Sequence, residues 1–130
     1  SDFTASILAS VANANALEIW TDVNGIYTAN PKIVKQSFPI KFLSYKEAME
    51  LSHFGAEVLY PPTVKPVMEK NIPVYIRNTF DNKKPGTIIS VNSDSNSTVK
   101  GITHIKKIAL LTIEGSGMIG RCSWVFKKII

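Results

Sequence analysis

Cysteine is almost missing from this chain: of 130 residues only Cys122 carries a thiol. A single thiol excludes an internal disulfide and any multi-cysteine zinc site, and it fits a reducing, cytoplasmic home. Long apolar runs are missing as well. None approaches the roughly 18 residues that a membrane-spanning helix needs, and no charged-then-apolar leader opens the chain. Nor is there a basic run or an arginine–aromatic stripe. Lys83-Lys84, Lys106-Lys107 and Lys127-Lys128 are scattered, so the formal charge of +5 reads as a solvated surface rather than a nucleic-acid footprint. His53 has neither a cysteine nor a second histidine at ligand spacing, which leaves no metal site. What remains, 45% hydrophobic and 19% charged, is the composition of a folded globular chain with room for one modest core.

The order of elements reads as mixed α/β. Phe3, Ile7, Leu8 and Val11 recur at helical spacing, and Ser1 and Asp2 can cap that helix by accepting from its unpaired N–H groups. A helix at the very first residues predicts a piece of a longer domain. A strand follows at Leu17–Trp20. Ser44 and Glu47 form a capping-box pattern for a second helix, which Gly55 is placed to end or bend. Tyr60-Pro61-Pro62 stops helical propagation. Thr63 is then expected to cap a third helix, with Val64, Val67 and Met68 inward and Pro66 in its first turn. Pro73–Asn78 and Ile88–Ser90 read as strands, joined through a turn at Lys84-Pro85-Gly86-Thr87. The polar run 92–98 is too poor in apolar residues to pack and marks a domain boundary. Beyond it Val99–Ile102 and Ile108–Ile113 read as strands. The glycines at 115, 117 and 120 match a dinucleotide fingerprint only superficially, because no room is left for its βαβ unit.

The most informative stretch is Trp20–Lys32. A strand runs into polar Thr21 and Asp22, then into a loop with the turn pairs Asn24-Gly25 and Asn30-Pro31, the ring of Tyr27 and the cation of Lys32. Ligands of open α/β sheets bind beyond the carboxyl ends of strands, so this layout suits a nucleotide. Two plainer readings stand beside it. Asn24-Gly25 can be a hairpin turn between Glu18–Val23 and Ile26–Thr28, and Asp22 can be a turn acid bonding its own backbone.

In that order, Trp20–Lys32, Tyr45–Pro61 and Pro73–Ile88 resemble the carboxyl-terminal half of the aspartate kinase catalytic domain, within the amino-acid-kinase superfamily. Ser1–Ser6 is similar to that family's Gly-Gly-Ser-Asp-Tyr-Thr-Ala-Ala segment from its third position. Val99–Gly120 resembles the start of the first ACT regulatory domain, and Gly115-Ser116-Gly117-Met118 looks most like the bifunctional aspartokinase–homoserine dehydrogenases. The resemblance implies a partial three-layer α/β/α kinase domain over 1–91, a linker over 92–98, and the beginning of an ACT-like α+β domain over 99–130.

It also implies a reaction, transfer of the ATP γ-phosphoryl group to the β-carboxylate of L-aspartate with Mg²⁺ bridging the phosphates. By the same resemblance Thr21, Asp22 and Tyr27 contact the nucleotide, and Lys32 faces phosphate where the family usually has arginine. Ser1 corresponds to a substrate-binding serine, and Asp2 to an aspartate that orients catalytic lysines. A homo-oligomer and an amino-acid effector at the ACT strands are expected, with neither nucleic acid nor membrane as partner.

Three positions depart from the family. Lys32 keeps the charge of arginine but lacks its planar fork. Asn30 stands where aspartate is common. Glu57 replaces the lysine of Phe-Gly-Ala-Lys-Val, which faces the transferring phosphate, so the sign is reversed. The family's Lys-Phe-Gly-Gly-Thr-Ser segment is absent from the sequence, which predicts no kinase activity from these residues alone. Two other readings remain: another amino-acid kinase acting on glutamate or carbamate, and a non-catalytic remnant that binds an effector or a partner.

Overall fold

The structure, a computed structural model, describes residues 2–53, 58–92 and 99–105. Helix α1 (Asp2–Val11) leads into strand β1 (Leu17–Thr21), followed by β2 (Phe42–Ser44), helix α2 (Tyr45–His53), a 3₁₀ turn (Pro61–Thr63), helix α3 (Val64–Glu69), β3 (Val74–Asn78) and β4 (Thr87–Ser90). The α/β class expected from the sequence is the one observed. The four strands lie in the order β1-β3-β4-β2, with β1 parallel to β3, β3 antiparallel to β4, and β4 parallel to β2.

Alternation along the strands decides which face is covered. Leu17, Ile19, Val74, Ile76, Ile89 and Leu43 share one face through the register and are buried beneath the helices. Each such side chain contributes about 1.5–3 kcal/mol. The opposite face carries Glu18, Trp20, Tyr75 and Arg77. There the Arg77 guanidinium sits 5.8 Å from the Trp20 ring centroid and 5.4 Å from that of Tyr75, with its Nε 3.3 Å from Glu18 Oε1. Among the described residues the helices therefore cover one side, two of the three expected layers.

Helix ends follow local chemistry. α2 begins with the expected capping box: Ser44 N donates to Glu47 Oε2 at 2.7 Å, and Glu47 N donates to Ser44 Oγ at 3.2 Å. α1 and α3 each finish on an asparagine with positive φ, Asn13 (48°) and Asn71 (56°). The next residue's amide reaches back in both, Ala14 N to Ala9 O and Ile72 N to Val67 O, the paired closure usually made with glycine. Tyr45 Oη donates to Ile72 O at 2.7 Å, and burial pushes its hydroxyl above the ordinary tyrosine value.

α1 is helical as expected; Phe3, Ile7, Leu8 and Val11 are exposed, and it turns Ser6 and Ala9 inward, where small side chains let the 3₁₀ turn approach and Ser6 Oγ donate to Thr63 O. Two expectations are corrected. Thr63 does not cap α3. Its backbone is already helical (φ −60°, ψ −30°) because the 3₁₀ turn runs straight into α3, and its side chain makes no cap hydrogen bond. Val99–Ile102 is a connection without a ladder rather than a strand. Gly55, Ile108–Ile113 and the glycines at 115, 117 and 120 lie outside the described residues.

Candidate nucleotide site at the carboxyl end of β1

β1 delivers Thr21 and Asp22 to the rim of the sheet, and β3, parallel beside it, delivers Asn78, Thr79 and Phe80 to the same rim. The two ends are tied together. Thr79 N donates to Thr21 O at 2.8 Å, and Asn78 Nδ2 donates to Asn24 Oδ1 at 2.7 Å. Asn78 Oδ1 accepts from Phe80 N at 2.8 Å, so this buried amide is used on both sides. Asn24 passes the connection on through Nδ2 to Tyr27 Oη at 3.3 Å. Asp22 is exposed, its Oδ1 3.2 Å from Thr21 Oγ1.

The loop beyond Asp22 is closed at its base by one hydroxyl. Thr87 Oγ1 accepts from Ile26 N at 2.8 Å and donates to Ile40 O at 2.7 Å, while Ile40 N donates to Ile26 O at 2.8 Å. Gly25 lies directly against it with φ +122°, and a Cβ there would stand 2.4 Å from Thr87 Oγ1. Only glycine meets both demands. Further out Tyr27 bridges Pro39, and Thr28 is joined to Phe38 twice, N to O at 3.0 Å and Oγ1 from N at 3.3 Å. The hairpin between Glu18–Val23 and Ile26–Thr28 is thereby overturned: the partner of Tyr27 is Pro39, and β1 pairs with β3.

At the tip Asn30 Oδ1 accepts from Lys32 N at 2.9 Å, and Asn30 O accepts from Ile33 N and Val34 N. An aspartate would make the same turn, so Asn30 keeps the local geometry. Lys32 is exposed on that turn. Asp2 is the first residue of α1, which a short connection joins to β1. The structure thus brings Thr21, Asp22 and Tyr27 into one hydrogen-bonded loop and leaves Lys32 at its tip. Ser1 and Glu57 lie outside the described residues. A separate open groove of about 610 Å³ adjoins the carboxyl end of α2, lined among the described residues by Met49, Ser52, His53, Tyr60, Pro62 and Lys65.

Sequence reading missed Asn78 and Thr87. Both are polar residues buried within strands, and only their polarity on an otherwise apolar, inward-facing register marks them. Among the described residues no group of three or more histidine, cysteine or acidic side chains could hold a metal ion, and no helix is long and apolar enough to cross a membrane.

Residues 1–78 match the Amino acid kinase family. The chain belongs to that family. It is 46% identical over 125 residues to a chloroplastic bifunctional aspartokinase/homoserine dehydrogenase 1 of Zea mays, covering 92% of this chain and 14% of the relative. Against the bifunctional aspartokinase/homoserine dehydrogenase of Haemophilus influenzae it is 45% identical over 133 residues, covering 99% of this chain and 16% of the relative. In structure it resembles E. coli aspartokinase III solved with aspartate and ADP, with a TM-score of 0.69 and 38% identity over 72% of this chain and 21% of that one. The chain thus spans about one-seventh to one-fifth of the length of these proteins.

Proposed function

We propose that the intact protein is an aspartate kinase, transferring the γ-phosphoryl group of ATP to the β-carboxylate of L-aspartate, and that the Thr21–Lys32 loop is its nucleotide wall. The observation that carries this reading is the loop at the carboxyl end of β1, held to β3 through Asn24–Asn78 and closed by Thr87. The ADP and aspartate held by the E. coli relative support it. Chemistry of this class is mostly positioning and charge neutralisation, so a wall braced in advance costs no reorganisation when the nucleotide binds.

In this reading Asp22 accepts hydrogen bonds from nucleotide hydroxyls or amines, Thr21 offers a neighbouring hydroxyl, and Tyr27 lays its ring beside the ligand with its hydroxyl steadied by Asn24. Lys32 supplies a point charge to phosphate, Ser1 binds substrate, and Asp2 orients lysines of the intact site. Mg²⁺ would come with the nucleotide's phosphates, since the described residues hold no cluster for it. Residues 99–130 would open a regulatory ACT domain after the 92–98 linker, with an amino-acid effector, in a cytoplasmic homo-oligomer.

Glu57 favours a second reading, a copy that binds ligands without catalysing, because a carboxylate at that place repels triphosphate. Calorimetry of the intact protein with ADP, with and without aspartate, tests the proposal. It predicts saturable ADP binding that Asp22→Ala weakens. No ADP binding, or binding indifferent to Asp22, contradicts it.

A further inference from the structure

We infer that Lys100 is a positioning residue for the nucleotide loop, acting through a short strap, Lys100-Gly101-Ile102, that clamps the loop to α2. The inference rests on the nucleotide reading of that loop.

Lys100 Nζ stands 3.1 Å from both carboxylate oxygens of Glu47, and only 10% of its side chain is exposed. That carboxylate is already the cap of α2, where Oε2 accepts from Ser44 N at 2.7 Å and from Ser44 Oγ at 2.8 Å. The ammonium therefore meets an acceptor whose geometry is fixed, rather than a mobile surface acid. Two residues on, Ile102 N donates to Thr28 O at 2.8 Å. Thr28 is the pin of the loop: its amide and hydroxyl are taken by Phe38, and the strap takes its remaining backbone group. Tyr27 is its neighbour in sequence.

Gly101 makes the approach possible. A Cβ there would lie 3.2 Å from Thr28 O, 3.3 Å from Leu51 Cδ2 and 3.6 Å from Ile40 Cδ1, so the strap is packed against both loop and helix. Along its edge runs an open groove of about 420 Å³ lined by Glu47, Glu50, Leu51, Val99, Lys100 and Thr103. Lys100 is proposed to act through Glu47 and the strap rather than on the nucleotide itself. Its effect passes from Glu47 through the strap to Thr28, so it falls on nucleotide affinity rather than on the chemical step.

The test uses the intact protein, with Lys100→Met, Lys100→Arg and Gly101→Ala, reading the KM for ATP, kcat, and amide hydrogen exchange across Ile26–Ile40. Lys100→Met is expected to raise KM about fivefold to tenfold with kcat little changed, and to speed exchange in the loop. Lys100→Arg keeps the cation and largely restores both. Gly101→Ala crowds Thr28 O while leaving the Lys100–Glu47 pair, and it should give the same pattern even if Lys100→Met fails to fold. Faster exchange with an unchanged KM supports the strap and removes the nucleotide reading of the loop. Unchanged exchange in both Lys100→Met and Gly101→Ala overturns the inference, as does an effect on kcat alone.

Discussion

Thr87 Oγ1 holds Ile26 and Ile40 together, accepting from the amide of one and donating to the carbonyl of the other, 2.8 and 2.7 Å away. The residues between them form the outer part of the candidate nucleotide loop, so a single buried hydroxyl in β4 sets where a loop from β1 returns to β2. Thr87→Val keeps the shape and removes both bonds, leaving two backbone groups in the core short of a partner. The expected loss is about 2–4 kcal/mol, measured by thermal or denaturant unfolding of the intact protein, while Thr87→Ser retains most of the stability.

Gly25 answers to the same hydroxyl. With φ +122° and only 2.4 Å between an added Cβ and Thr87 Oγ1, Gly25→Ala meets both backbone strain and a clash. A destabilisation of about 1–3 kcal/mol is expected. In a Thr87→Ala background, which removes the crowded hydroxyl, Gly25→Ala should still cost nearly as much, because the positive φ remains. Stability measurements on the single and double variants check this, and full recovery would show that the clash alone matters.

Glu47 makes part of the stability depend on pH. Burial raises its pKa, but the hydrogen bonds from the Ser44 amide and hydroxyl and the charge of Lys100 outweigh burial and leave it below the ordinary glutamate value. A group with a depressed folded pKa stabilises above its unfolded value, and that contribution is lost as pH falls through the folded one. Protection of the α2 amides should therefore weaken below about pH 4.5. Glu47→Gln should flatten this dependence. Glu50 shares the groove with Glu47 and Lys100, so Glu50→Gln is the control that should leave the dependence in place.

In the proposed reading Glu57 takes the place of the family's phosphate-facing lysine. Glu57→Lys in the intact protein is expected to raise aspartate phosphorylation about tenfold or more. Equal or lower activity in a steady-state assay would reject the view that this carboxylate opposes the transferring phosphate.

Much of the frame was legible because it rests on local chemistry. The Ser44–Glu47 box announces α2, and the apolar alternation of Pro73–Asn78 announces β3. Spacing also revealed α1 but not the face it buries, since Ser6 and Ala9 turn inward to admit the 3₁₀ turn, a demand made by residues more than fifty positions away. The same distance hid Thr87 and Asn78, whose partners are set by sheet register rather than by neighbours in sequence. Thr21, Asp22 and Tyr27 were named from family likeness; that they form one braced loop came only from the fold. The plainer hairpin reading of Asn24-Gly25 failed because a turn pair does not specify which strand returns.

The most direct test is the KM for ATP in aspartate-dependent ADP release by the intact protein, compared between the native sequence and Asp22→Asn. Turnover that requires aspartate is expected, with a KM about tenfold higher in the variant. ADP release independent of aspartate, or an unchanged KM, would contradict the proposed function.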